Sequence, residues 1–317
     1  MCLIDMENKF MISICIPAYN RLQTLKEWLE SIVAQFDGEI EKKVEIIIAD
    51  DASPDLRIEP MVKEFMKKHN NIHYHRYPKN MRLSSNLMHV TTFAHWEYLW
   101  LMADDDCMTN FALKYTLDII EKTHFDLLIA NAYIWPNMKA HIDNKPNTFK
   151  TIHGMNNLVD YLYDYRSTYQ DLVVYFQFYS ILVVRNSYFK ESLSKYDRDF
   201  IYGNIFPQDI IIYSHIQKKK IIIPDNIFVL GRTLNESYKA SFKFITDFKL
   251  AMNMIEEANK LQWSKKWKAL KRTVVSWWKK TILLWKVLRW LHIDYKKNPF
   301  FRKLYFFYKK HIQNRTA

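Results

Sequence analysis

The sequence predicts an α/β protein: a doubly wound, mostly parallel sheet followed by a helical, basic and aromatic C-terminal extension. Three observations carry this. Short β-branched runs alternate with segments of helical periodicity; three of those runs end in acidic or turn-forming clusters; and the positive charge is gathered at one end of the chain. Strands separated by helices pair in parallel with both faces covered, and ligands then bind at the carboxyl edge of the strands.

The elements follow in order. MISICIP (11–17) is apolar and β-branched, so it predicts a strand, and residues 21–35 place Leu22, Leu25, Trp28, Leu29, Ile32 and Val33 at helical spacing. VEIIIAD (44–50) and a helix over 57–68 repeat the unit, and NIHYHRY (71–77) with a helix over 82–95 repeats it again. Residues 98–102 form the next strand, 110–122 the next helix and DLLIAN (126–131) another strand. The stretch 133–150, rich in Pro, Asn and Lys, predicts a loop able to close over a ligand. DLVVYFQFYSILVVRN (171–186) predicts one or two buried strands, with Tyr175, Phe176, Phe178 and Tyr179 as core or as a sugar-stacking surface.

Composition sets outer bounds. With 317 residues, 49% of them hydrophobic and 25% charged, the chain has ample material for a core. Cys2, Cys15 and Cys107 show no metal or disulfide spacing, which fits a reducing compartment. Neither a signal peptide nor a transmembrane run is expected, so the predicted location is cytoplasmic. Residues 251–317 hold 17 Lys and Arg against 3 Asp and Glu, whereas the rest hold 29 against 31. The basic segment also carries six of the ten tryptophans, among them Trp263 and Trp267. Their spacing with Leu270, Val274, Trp277, Thr281 and Leu284 predicts an apolar helical stripe. Contact with an anionic membrane surface through residues 263–313 is the favoured reading, packing on the body or on a second protomer the next, and nucleic-acid binding the least favoured.

The strand ends carry the chemistry. Pro17-Ala18-Tyr19-Asn20-Arg21, Asp50-Asp51-Ala52-Ser53-Pro54-Asp55 and Asp104-Asp105-Asp106 all fall at the same predicted edge. Two unit charges about 5 Å apart repel by roughly 3 kcal/mol at an effective dielectric near 20, so a triple carboxylate calls for a cation.

SICIPAYNR, IIIADDASPD and YLWLMADDD, in this order and spacing, closely resemble the nucleotide-diphospho-sugar transferases of glycosyltransferase family 2, which have the GT-A fold. The resemblance is strong over residues 11–131 and persists to about 230. It implies a GT-A catalytic domain over 11–245, with a nucleotide-sugar half (11–131) and an acceptor half (132–245), and a separate basic, aromatic helical region over 246–317. It implies that Asp51, with Asp50 beside it, meets the nucleotide base, and that Pro17, Ala18, Tyr19 and Arg21 wrap the nucleoside. It maps the Asp-x-Asp motif onto Asp104 and Asp106, with Asp105 between them at the donor. Asp106, helped by Asp104, would hold Mn²⁺ or Mg²⁺, a hard cation suited to carboxylates and diphosphate oxygens. On this reading the missing cation arrives with the substrate. NMRLSSN (80–86) matches a donor-lining segment, which makes Arg82 a diphosphate contact and Asn86 a donor contact, although the glycines common there are absent.

Inverting members use a carboxylate at a helix start as base, and Asp209 in NIFPQDII occupies that place behind Pro207. Gln208 stands where the family usually has Glu; Asp197 and Asp199 are the fallback acids. Gly231-Arg232 is a further candidate phosphate contact. The resemblance implies metal-dependent, inverting transfer of a sugar, with a UDP-sugar as the expected donor, to a hydroxyl of a glycan or lipid-linked glycan. The implied setting is bacterial surface polysaccharide or lipopolysaccharide synthesis at the inner face of the membrane. A homo-oligomer is compatible with this, and nucleic acid is not an expected partner. The alternatives are a non-catalytic binding or scaffold protein of the same fold and a nucleotidyltransferase. The latter would want a Gly-rich phosphate loop, and the chain has only Gly38, Gly154, Gly203 and Gly231.

Overall fold

A computed structural model of the protein describes residues 11–135, 147–165, 178–232 and 242–272. Strands β1 (Ile12–Ala18) and β2 (Val44–Asp50) are buried at every position, as expected of runs with no polar face to turn to water. They pair in parallel from Ile12 with Val44 to Ala18 with Asp50, so their last residues stand side by side. Between them α1 (Leu22–Val33) sinks Leu25, Trp28, Leu29 and Ile32 into the core. Helix α2 (Ile58–Met66) leads to β3 (Ile72–Arg76), which pairs in parallel with β2 at the sheet edge. Its exposed His73 and Arg76 suit an edge that must not recruit further strands.

The chain then reverses direction across the sheet. Helix α3 (Leu83–Val90) carries it back to β4 (Tyr98–Leu101), which pairs in parallel with the other side of β1. The crevice between the carboxyl ends of β1 and β4 is therefore the topological switch point, where open α/β sheets bind ligands. Strand β5 (Cys107–Met108), α4 (Ala112–Lys122), β6 (Leu127–Ile129), β7 (Asn131–Trp135), β8 (Phe149–His153) and α5 (Gly154–Tyr165) follow. The second half contains β9 (Leu182–Arg185), α6 (Asn186–Leu193), α7 (Arg198–Gly203), α8 (Pro207–Tyr213), β10 (Lys220–Pro224), β11 (Ile227–Arg232) and α9 (Phe242–Ala258). The main sheet runs β3-β2-β1-β4-β9-β6-β10-β8, and β5-β11-β7 form a small second sheet.

Parallel order is interrupted after β4 and resumes between β6 and β10. Strand β9 lies antiparallel between β4 and β6 and is entered through the short 3-10 turn Tyr179–Ile181. Of the strands expected over 171–186, residues 182–185 are strand, while Tyr175 and Phe176 lie outside the described residues. Tyr179 is buried and Phe178 packs against the core, so core packing accounts for both. Gly154 joins β8 to α5 at φ +72°, and a Cβ there would stand 2.0 Å from the Gln217 carbonyl oxygen, which excludes every other residue. Most of the loop expected over 133–150 lies outside the described residues. Cys15 and Cys107 are free and buried.

The expected boundary at 245/246 falls inside packed structure. Phe248, Ala251, Met252, Ile255, Leu261, Trp267 and Leu270 are all buried in the same core as the sheet. Helix α9 packs on α8 and clamps both of its ends: Asp247 accepts from the Ile205 N–H (3.0 Å), and the Asn259 amide donates to the Tyr213 carbonyl (2.8 Å). Residues up to 270 thus belong to the body by the ordinary logic of apolar burial. Trp263 is 84% exposed, so the expected stripe is divided at its start. Its continuation beyond residue 272 lies outside the described residues. No helix among the described residues is long and apolar enough to cross a membrane.

Burying one large apolar side chain is worth about 1.5–3 kcal/mol, and a domain has only about 5–15 kcal/mol to lose. A chain ending at residue 245 should therefore give no cooperative melt by circular dichroism, whereas one ending at Arg272 should melt cooperatively.

Candidate active site at the carboxyl edge

Four strand ends and one helix start build the site. Where β1 ends, the chain turns through Asn20 at φ 53°; after β2 it turns through Ala52 at φ 56°; before α3 it passes Arg82 at φ 72° and ψ 161°. Of the four non-glycine residues with positive φ among the described residues, these three sit at this edge. The Arg82 conformation is one that only glycine adopts readily, and backbone strain of this kind costs about 1–3 kcal/mol. It is held in place by Asn80, whose side-chain oxygen accepts from the Arg82 N–H (2.9 Å), and by Asp51. The Asp51 carboxylate accepts from the Met81 N–H (2.6 Å), and the Arg82 N–H also contributes to holding it ionised. Burial outweighs both and raises the Asp51 pKa.

Asp50 and Asp51 divide the work at the end of β2. Asp50 is fully buried and accepts from the Ser53 N–H (2.8 Å), the Ser53 hydroxyl, the Tyr74 hydroxyl and the Arg76 guanidinium (2.6 Å). It is an anchor for its own loop. Ser53 in turn accepts from the Asn20 N–H (2.8 Å), which locks the β1 loop to the β2 loop. Asn86, also buried, reaches back from α3 and donates to the Ala49 carbonyl (3.0 Å), so it holds β2 to α3. Tyr19 is 46% exposed while its N–H is fixed to Asp104.

The triple carboxylate lies in the turn between β4 and β5, with all three acids buried. Asp104 accepts from the Tyr19 N–H (3.0 Å) and from the Arg21 guanidinium, and the same guanidinium stands 3.3 Å from Asp105. The cation expected to arrive with the substrate is thus already present in part, supplied by a residue 83 positions earlier. Burial still pushes the Asp104 pKa up to about 6, against the pull of Arg21.

Asp106 is placed differently. It accepts from the Ser180 hydroxyl (2.5 Å) and the Arg232 N–H (3.2 Å), both neutral donors, and burial together with Asp105 and Asp104 raises its pKa well above the ordinary carboxylate range. The Arg232 side chain turns away to Glu27. Ser180 also accepts from the Ala103 N–H (3.0 Å), and its carbonyl accepts from the Trp100 indole (2.8 Å), so β4 and the turn before β9 hold it rigidly. Ser180 and Glu27 are site residues that no sequence motif marked, because their partners are 74 and 205 residues away.

A divalent metal fits this donor set in one place. Among the described residues, no cluster of three or more His, Cys, Asp or Glu forms a closed metal cage. Asp106 is a buried carboxyl group met by two neutral donors among the described residues, and each of its oxygens retains a lone pair. A Mg²⁺-like ion that takes one carboxylate and completes its shell with water and diphosphate matches that arrangement.

Asp209 lies in the first turn of α8, behind Pro207, and is buried. It makes no bond to the acid cluster. Its Oδ1 is 3.5 Å from the Gln208 amide and its Oδ2 has no partner among the described residues, so burial raises its pKa with little opposition. A buried carboxylate without partners is costly unless something else uses it. Helix α8 packs against α3, the helix into which residues 80–82 lead. The fallback acids are exposed: Asp197 caps α7 through the Phe200 N–H (2.9 Å), and Asp199 follows it in the first turn.

The fold has known counterparts. The fold resembles the S. aureus TarS 1–349 structure in complex with UDP-GlcNAc (TM-score 0.56, 15% identity, 84% of this chain and 70% of that one). It also resembles mannosyltransferase PcManGT from Pyrobaculum calidifontis in complex with GDP-Man and Mn²⁺ (TM-score 0.52, 12% identity, 85% and 74%). In sequence, abequosyltransferase RfbV of Salmonella typhimurium is 34% identical over 104 residues, which span 32% of this chain and 30% of that relative. The GT-A architecture expected from the strand-end motifs is thus the observed one. The model of the family described as "Glycosyl transferase family 2" matches residues 13–202, more than half of the chain, and the protein belongs to that family.

Proposed function

We propose that the protein transfers a sugar, with inversion, from a nucleoside-diphosphate donor to a hydroxyl of a glycan or lipid-linked glycan, with a divalent metal at Asp106. The observation that carries this reading is the pairing of two unlike buried carboxylate sites: an acid cluster at the β1/β4 crevice, and Asp209 alone on a separate helix. In the donor half, the exposed Tyr19 would meet the nucleoside and Asp51 the base, with the buried Asp50 holding the loop beside it, while Asp104 and Asp105 would meet the ribose and diphosphate. Pro17 and Ala18 supply the wall of the crevice, and Arg82 and Asn86 the far side, with the Arg82 guanidinium on the diphosphate. When bound, Mn²⁺ or Mg²⁺ supplies positive charge against which the leaving diphosphate departs.

Asp209 accepts the proton of the attacking hydroxyl. An alcohol attacks well only as its proton is taken, and a carboxylate with a raised pKa is a stronger base than an exposed one. Gln208, held against Asp209, orients the carboxylate in place of an acidic neighbour. Transferases that carry UDP-GlcNAc or GDP-Man with Mn²⁺ share the fold, and a UDP-sugar is the donor we favour. Kinship with an abequosyltransferase supports a role in surface polysaccharide synthesis. Association with an anionic membrane surface is part of the proposal, through the exposed Trp263 and the basic, tryptophan-rich residues after 270, because Trp267 and Leu270 of the expected 263–313 surface are buried in the body.

Asp209→Asn should keep donor binding but lower kcat by about 10²-fold or more, the range for removal of a general base. A variant with near-normal kcat would move the base elsewhere. Because Asp209 must be ionised to act and its pKa is raised, wild-type kcat should fall as pH drops, beginning above the ordinary carboxylate range. The linkage sign is definite: a carboxyl whose folded pKa is raised stabilises the fold only while protonated, and loses that contribution as pH rises through the folded pKa. Asp209→Asn should therefore raise Tm at pH 8 and change it less at pH 5; a lower Tm at pH 8 would contradict the assignment. Asp106→Asn should abolish metal-stimulated hydrolysis of the donor, measured as released nucleoside diphosphate, while the circular dichroism spectrum stays unchanged.

A further inference from the structure

The acid cluster is not uniform in charge, and the difference lies in one side chain. The Arg21 guanidinium bonds Asp104 and stands 3.3 Å from Asp105, and its side chain is only 22% exposed. Asp104 thereby accepts one bond on each oxygen, one of them from the charged Arg21 guanidinium and the other from the Tyr19 N–H (3.0 Å). Asp106 receives only the Ser180 hydroxyl and the Arg232 N–H, while the Arg232 guanidinium is committed to Glu27. A guanidinium fixed beside two carboxylates does what a metal would do there, and it repels a divalent cation from the neighbouring carboxylate.

We propose that Arg21 sets the order of assembly at this site: it stands in for the metal at Asp104 and Asp105, and it keeps the affinity of the free protein for divalent cations low until a diphosphate supplies further negative charge. This rests on the reading of the crevice as a metal and diphosphate site. Two consequences separate it from a purely structural ion pair. Loss of the Arg21 charge strengthens metal binding in the absence of donor, and it shrinks the gain in metal affinity that a nucleoside diphosphate brings. An ion pair that only braces the β1 loop predicts weaker binding, because its loss would loosen the acids.

The test is Mn²⁺ binding to the full chain at pH 8, followed by the electron paramagnetic resonance signal of free Mn²⁺, with and without UDP. Arg21→Gln should bind Mn²⁺ about tenfold or more tightly than wild type without UDP, on the order expected for removing one like charge from a partly buried site. Arg21→Lys, which keeps the charge, should stay within about threefold of wild type. Asp106→Asn should lose Mn²⁺ binding both with and without UDP. If Arg21→Gln melts cooperatively yet binds Mn²⁺ no better than wild type, the inference about Arg21 is overturned while the site reading stands. If wild type with UDP binds no Mn²⁺, or Asp106→Asn binds it unchanged, the site reading fails and takes the inference with it.

Discussion

Burial of several carboxylates at the ends of parallel strands is the constraint around which the rest of the structure is arranged. An ionised group away from water needs partners, and here the partners come from every neighbouring element. Asp50 draws in Ser53, Tyr74 and Arg76; Asp104 draws in Tyr19 and Arg21; Asp106 draws in Ser180 and Arg232. Each such contact also ties a loop to a strand. The same acids that give the site its chemistry therefore fix the β1, β2 and β4 loops against one another.

Strain and satisfaction balance within a few residues. Asn20, Ala52 and Arg82 occupy backbone regions that side chains disfavour, and the chain places no glycine at these positions. Asp51 repays part of this by accepting from the backbone that leads into Arg82. The unrepaid part is Asp209, buried with one oxygen unpartnered among the described residues. Helix α9 holds its helix at both ends through Asp247 and Asn259, so a costly carboxylate sits on a rigid mount. Rigid elements beneath a site are what keep reacting groups within a fraction of an ångström of their geometry.

The first half of the fold was legible in the sequence because its signals are local. β1 and β2 are seven-residue apolar runs, and α1 shows its buried Leu25, Trp28 and Leu29 at helical spacing. β9 was less legible: four residues give too short a pattern to show direction, and its antiparallel seat depends on β4 and β6, which lie far away in the chain. Trp267 and Leu270 were marked as apolar, but periodicity could not say whether they faced a membrane or the α/β body. The resemblance implies that Arg21 lies at the nucleoside; its pairing with Asp104 and Asp105 follows only once β1 and β4 are adjacent. Ser180 and Glu27 had no signal at all, since hydroxyl and carboxylate partners at such separations leave no spacing to detect.

The claim on which the account rests is that the β1/β4 crevice takes a nucleoside-diphosphate sugar together with a divalent cation. Ligands that bind only the folded state raise its stability in proportion to their affinity, by about 2.7 kcal/mol at a hundredfold excess over Kd. The direct measurement is a thermal-shift panel of UDP-, GDP-, CDP- and dTDP-sugars, each with and without Mn²⁺. The account predicts that a UDP-sugar raises Tm, and that the rise with Mn²⁺ exceeds the sum of the separate shifts. A flat response to every nucleotide sugar, with Mn²⁺ present and the protein folded, would contradict it.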